Sequence, residues 1–136
     1  MNLVEYAYET ARRYYTSETF EHAVRVAGYI RENPMISAGI QEDCFALALM
    51  HDLLEDTEYK EDAGIVGTRI TKCLSILTRP EGMDYIPYIQ HIRACAGDWP
   101  EAWWVKLADI KDHLAQTDTL TERLRDKYVR ALPYLL

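Results

Sequence analysis

A chain of 136 residues, 49% hydrophobic and 27% charged, has the length and composition of one globular domain with a core of its own and no need of disulfides. Its formal net charge of −7, with no basic run, excludes non-specific nucleic-acid binding but leaves room for a small phosphorylated ligand. The apolar runs are too short for a membrane partner, and the N-terminus lacks the basic-then-apolar order of a signal peptide. Cys44, Cys73 and Cys95 are odd in number and form no CxxC pair, which predicts free core thiols and a reducing, cytoplasmic setting.

The first helix is predicted over Leu3 to Tyr15, where Leu3, Tyr6, Ala7, Thr10, Ala11 and Tyr14 form one apolar stripe. Thr16 or Ser17 caps a second helix that runs to about Glu32 and stops at Asn33-Pro34. A third begins near Ile40 and continues through His51 to about Asp56. Its middle, Phe45 to Met50, is apolar on every side and marks a central helix. Residues 57 to 62 are polar and read as a loop. A fourth helix covers about Ile65 to Thr78, broken by Arg79-Pro80-Glu81-Gly82, and a fifth covers Tyr85 to Cys95. Asp98, with Pro100 just inside, opens a sixth. A last helix carries Leu124, Tyr128 and Leu132. No segment alternates as a strand does, so the expectation is an all-α single domain of about six or seven helices.

His51 and Asp52 close the most apolar helix, with Glu55 and Asp56 one turn later. Polar groups interrupt a core run at a cost unless they are paired or ligated. Continued helical spacing would crowd three carboxylates at one end, a conflict that a divalent cation resolves. The plain alternative is a solvated polar helix end. Two further residues shift the balance: His22 on the second helix, and Asp109 after a hydrophobic stretch in the sixth. Taken singly, His22 reads as a core histidine and Asp109 as the partner of Lys106 or Lys111. Taken together, two imidazoles and two carboxylates suit Mn(II), Fe(II), Co(II) or Ni(II) better than a thiolate-rich zinc site does. Four such ligands on an octahedral ion leave two positions for water or phosphate.

The order His22, His51-Asp52, Asp109 on separate helices resembles the signature of the HD superfamily. Three stretches resemble, more specifically, the hydrolase domain of RelA/SpoT-type alarmone enzymes and their stand-alone small relatives. They are Tyr6 to Ala11 with His22 to Ala27, Ala48 to Thr57 (the HDxxEDT pattern), and Val105 to Asp109. The likeness extends from about residue 6 to residue 116 and includes Leu77-Thr78-Arg79, Glu81, Tyr85 and Tyr88-Ile89. It implies removal of the 3′-pyrophosphate of guanosine tetra- or pentaphosphate, with a single Mn(II) as cofactor. His22, His51, Asp52 and Asp109 would then be ligands, while Glu55 and Asp56 orient and deprotonate the attacking water. Arg25, Lys72, Arg79 and Lys106 become candidate phosphate contacts, and Tyr85 and Tyr88 candidate nucleoside contacts.

Two features depart from the family. His113 stands where it has asparagine, four residues after the metal aspartate, a change that bears on the substrate side and spares the ligands. The chain is also short and carries no synthetase or regulatory region. The Trp103-Trp104 pair predicts one core ring and one exposed contact, or a homodimer surface. Two alternatives stand beside the alarmone hydrolase: an HD-type phosphomonoesterase on nucleoside 5′-monophosphates, and a catalytically silent helical module that binds a nucleotide or a protein.

Overall fold

Asn2 and Thr16 start the first two helices by the same device, a side-chain oxygen accepting the backbone N–H three residues on, at Glu5 and Thr19. The computed structural model describes residues 1–136. The helices are α1 (Leu3–Tyr14), α2 (Ser17–Glu32), α3 (Ala38–Met50), α4 (Leu53–Asp56), α5 (Ala63–Leu77), α6 (Tyr85–Cys95), α7 (Pro100–Ala115) and α8 (Glu122–Leu135). There are no strands, and α4 is a single turn. The fold is therefore an all-α bundle. No helix is long and apolar enough to cross a membrane.

The all-round apolar pattern of α3 puts it at the centre. Cys44 and every residue from Ala46 to Met50 are buried, and α1, α2, α5 and α7 pack around them. α6 and α8 pair on the far side of α7. The expected α1 stripe holds through Ala11 and fails only at its last member. Tyr14 is exposed, while Tyr15 turns inward beneath the end of α3.

The third helix does not continue to Asp56. It stops at Met50, and Asp52 adopts φ −100° and ψ 1°, between the helical and extended regions. The Tyr15 hydroxyl accepts the N–H of Asp52 at 3.0 Å, replacing the helical bond lost there. The helix expected to open at Asp98, which is α7, also opens one residue later. Trp99 is its cap residue, and the Asp98 carbonyl instead accepts the Arg69 guanidinium at 2.8 Å. Gly67, at φ 88°, lets the chain bend inside α5, a conformation that a side chain would resist. The two tryptophans divide their roles differently from expectation. Both are half-buried against the core, and the Trp103 indole N–H donates to the Leu135 carbonyl at 2.8 Å, which ties α7 to the end of α8.

Candidate metal centre

α2 supplies His22, the end of α3 supplies His51, the following turn supplies Asp52 and α7 supplies Asp109. Three of the four are buried, and one donor atom from each lies within 4.8 Å of the others. His22 Nε2 is 2.8 Å from Asp109 Oδ1, and His51 Nε2 is 3.1 Å from the same oxygen. Asp52 Oδ2 completes the group, 3.2 Å from His51 Nε2 and 3.7 Å from His22 Nε2.

The outer nitrogens determine what the inner ones can do. His51 Nδ1 lies 2.6 Å from the Ala48 carbonyl, which can only accept, so this nitrogen carries a hydrogen. His22 Nδ1 lies 2.7 Å from Asp112 Oδ2, and the same reasoning applies to it. In the neutral imidazoles both Nε2 lone pairs therefore point at carboxylate oxygens. Lone pairs facing anions repel unless a proton or a metal ion lies between them. The cluster can hold a metal ion, and its donor set fits one.

Without an ion, protons take over that role. Burial opposes a charged His51, but Asp52 and Asp109 more than offset this and hold its pKa well above the ordinary value. His22 is raised in the same way, burial being outweighed by Asp109 and, more weakly, by Asp112. Asp109 is pulled well below the carboxylate range against its burial, first by Lys106 and then by the three imidazoles around it. Its two oxygens are divided: Oδ2 accepts from the Lys106 ammonium at 2.8 Å, and Oδ1 faces His22, His51 and His113. Lys106 is thus the partner that a buried aspartate needs, yet it leaves one oxygen free to ligate. Lys111 lies instead over the Tyr29 ring.

Two cavities meet at the cluster and share Asp52, Asp56, His113 and Tyr128 in their walls. The larger, a groove of about 420 Å³, is walled by Glu18, Glu21, His22, Arg25 and Asp112 among others. The smaller, a recess of about 170 Å³, is walled besides by Glu55, Arg79, Tyr85, Tyr88, Lys106, Asp109 and Lys127. Glu55 accepts the backbone N–H of Arg79, so its carboxylate is held in place. The carboxyl of Asp56 is raised by burial and by the neighbouring Asp52 and Glu55, the direction that suits a proton acceptor.

The structure brings twelve of the thirteen expected site residues to this centre and leaves one away from it. Lys72 is exposed on α5 and walls neither cavity, because the buried stripe of that helix runs through Ile70, Cys73, Leu74 and Leu77. Arg25 reaches the groove, although its Nε is held by Asp112 at 2.9 Å. Tyr88 presents its ring, but its hydroxyl donates to the Leu77 carbonyl, so it is a positioning group. His113 has its Nε2 3.2 Å from Asp109 Oδ1 and stacks on Tyr128, with ring centroids 4.6 Å apart.

Sequence reasoning missed Asp112, Tyr128 and Lys127. Asp112 is fully buried and accepts from His22, Arg25, Tyr29 and Gln116. Its signal was its position, three residues after Asp109 on the same helix face. Lys127 carries a pKa lowered by burial and by the cations Arg79 and Lys106. No family model matches the chain, and no curated protein matches it.

Proposed function

We propose that the chain is a metal-dependent phosphohydrolase of the HD type, acting on a small phosphorylated nucleotide. The observation that carries this is the inward aim of His22 Nε2 and His51 Nε2 at Asp52 and Asp109, with both outer nitrogens locked as donors. A divalent ion, Mn(II) first among those such donors suit, would be held by these four residues and would supply Lewis acidity toward a water and a phosphoryl oxygen. Asp56, on the wall shared by the two cavities, would take the proton of the attacking water. Glu55, fixed by the Arg79 N–H, orients that water. Water oxygen bonds to phosphorus, the phosphorus–oxygen ester bond breaks, and the leaving oxygen regains a proton.

The resemblance to alarmone hydrolases makes the 3′-pyrophosphate of guanosine tetraphosphate the first substrate to try. The walls of the groove favour a second reading, a phosphomonoesterase on nucleoside 5′-monophosphates. Glu18, Glu21, Asp56 and Asp112 line that groove, and its one cation, Arg25, is already paired. A second cluster of phosphates would meet repulsion there.

Product analysis separates the two. The protein is incubated with guanosine tetraphosphate or with a panel of nucleoside monophosphates, with Mn(II) or with a chelator. Metal-dependent release of pyrophosphate supports the first substrate, and orthophosphate from monophosphates supports the second. Asp52→Ala should abolish both metal binding and turnover, whereas Glu55→Ala and Asp56→Ala should abolish turnover alone. Full activity in both carboxylate variants would remove their assigned roles. No turnover in either set would sink the hydrolase proposal for these substrates.

A further inference from the structure

Three cations from three parts of the chain converge on one ring. The Lys127 ammonium of α8 lies 4.4 Å from the centre of the Tyr85 ring, and the Lys106 ammonium of α7 lies 5.5 Å away. The guanidinium carbon of Arg79, from the segment between α5 and α6, lies at 5.9 Å. Two of the three have polar partners. Lys106 donates to Asp109 Oδ2, and the Arg79 guanidinium reaches the Met83 carbonyl at 3.4 Å. Lys127 is half-buried, with no hydrogen bond or ion pair; the faces of Tyr85 and Tyr128 lie beside it, and Glu55 and Asp109 share the recess without pairing with it. In the same wall the Tyr85 hydroxyl is buried without any hydrogen-bond partner.

Both features are costly as they stand. Of the recess carboxylates, Asp109 is taken up by Lys106 and Glu55 by the Arg79 N–H. A half-buried ammonium beside Arg79 and Lys106, with no carboxylate in direct contact, lacks a paired counter-charge, and a buried hydroxyl without a partner loses the hydrogen bonds it made to water. One ligand satisfies both: an anion with several acceptor oxygens. The recess limits its size. At about 30 Å³ per water in the liquid, 170 Å³ holds the equivalent of only about five or six waters. Whole small-molecule sites begin at about 300 Å³. One end of a ligand enters the recess, and the rest lies in the adjoining groove.

Resting on the phosphohydrolase function above, we propose that this recess is the seat of a single phosphoryl group, gripped by Lys127, Arg79 and the Tyr85 hydroxyl. The substrate class is then a phosphomonoester that carries its charge at one end, with an uncharged body along the acidic groove. Tyr85 serves the phosphate, where the family resemblance suggested the nucleoside.

The test is calorimetric titration of inorganic phosphate into the protein, once metal-free and once equilibrated with Mn(II). It is run on the wild type, Lys127→Met, Tyr85→Phe and the exposed control Lys60→Met, with Mn(II) affinity measured separately for each. Lys127→Met should weaken phosphate by about tenfold or more, as the loss of a charge-assisted contact does, and Tyr85→Phe by about threefold or more. Lys60→Met, which removes the same charge elsewhere, should stay within about twofold of the wild type, and all four should bind Mn(II) alike. Phosphate binding by Lys127→Met equal to that of the wild type overturns the proposal. So does a wild type that binds no phosphate in either state. If no variant binds Mn(II), the hydrolase function falls, and the metal-free titration still decides whether the recess seats an anion through Lys127.

Discussion

Of the two ring nitrogens of His22, Nδ1 is held by Asp112 and only Nε2 reaches the cluster. Asp112 is in turn held by Arg25 and Tyr29, so a chain of side chains from the groove wall sets the direction of one ligand lone pair. Groups of this kind typically change metal affinity by about 10- to 100-fold when removed, and Asp112→Ala should weaken Mn(II) binding by that amount. Asp112→Asn, which keeps an acceptor for Nδ1–H, should weaken it less. Protons compete with the metal at the same nitrogens. Because His22 and His51 are raised in the metal-free protein, Mn(II) affinity should climb with pH through the neutral range up to those raised values and level off above them, and binding below them should release protons. Calorimetry in two buffers of different ionisation heat measures that release. Affinity that stays flat from slightly acid to alkaline pH, with no proton release, would show that the imidazoles are not ligands. The four residues of the cluster were legible in the sequence because His51-Asp52 and Asp109 stand at the ends of apolar runs, where burial demands a partner, and His22 completes the set with them. Lys127 was not, and Asp112 had only its register with Asp109 to mark it, since the groups that give both residues their setting are far away in the chain. Asp112 sits 90 residues from the imidazole it holds.

Helix ends repeat the contrast between local and distant causes. Thr16 as a cap and Asn33-Pro34 as a stop act through their own backbone, and the boundaries of α2 fall where those residues place them. The break after Met50 is only weakly marked locally, by His51 and Asp52, since Leu53, Leu54 and Glu55 are all good helix formers. It depends on the Tyr15 hydroxyl, 37 residues earlier, taking the Asp52 N–H. The join of α5 to α7 is of the same distant kind. Glu101 is fully buried, and Arg69 grips both of its oxygens, with Nη2 at 2.8 Å from Oε1. Arg69→Ala strands that carboxylate. The loss should be about 3 kcal/mol, near the low end for a broken buried pair because the Arg69 side chain is half exposed. Burial alone would raise the Glu101 pKa, but the Arg69 hydrogen bonds hold it below the ordinary value. The wild-type contribution is therefore present above that ordinary value and is lost as pH falls through the lowered one. In Arg69→Ala burial is opposed only by the Glu101 backbone N–H, so the sign reverses, and stability is lost as pH rises through a raised pKa. Urea unfolding should show a smaller deficit for the variant at pH 4 than at pH 7. An equal deficit at both would mean that Glu101 finds another partner.

For the molecule as a whole, the cluster is where α2, α3 and α7 meet, and these helices pack directly on one another through the central core. A bound ion therefore ties three parts of the fold together, and chelation should lower Tm by an amount set by the ligand concentration and its dissociation constant. The pH dependence of that effect has a definite sign. In the metal-free protein His22 is raised by Asp109 and Asp112 and His51 by Asp52 and Asp109, so their pairing stabilises the fold fully below the ordinary imidazole pKa. That contribution is lost as pH rises through the raised values, because the neutral imidazoles then turn lone pairs toward Asp52 and Asp109. The lowered pKa of Asp109 adds nothing in this window, since its carboxylate is already ionised throughout. The Mn(II)-loaded protein follows the opposite course, as proton competition for the ligands disappears. The gap in Tm between loaded and chelated protein should therefore widen from pH 6 to pH 8.5, which scanning calorimetry at fixed Mn(II) measures directly. A gap that narrows over that range would place the stabilising ion elsewhere, with donors that do not titrate near neutrality.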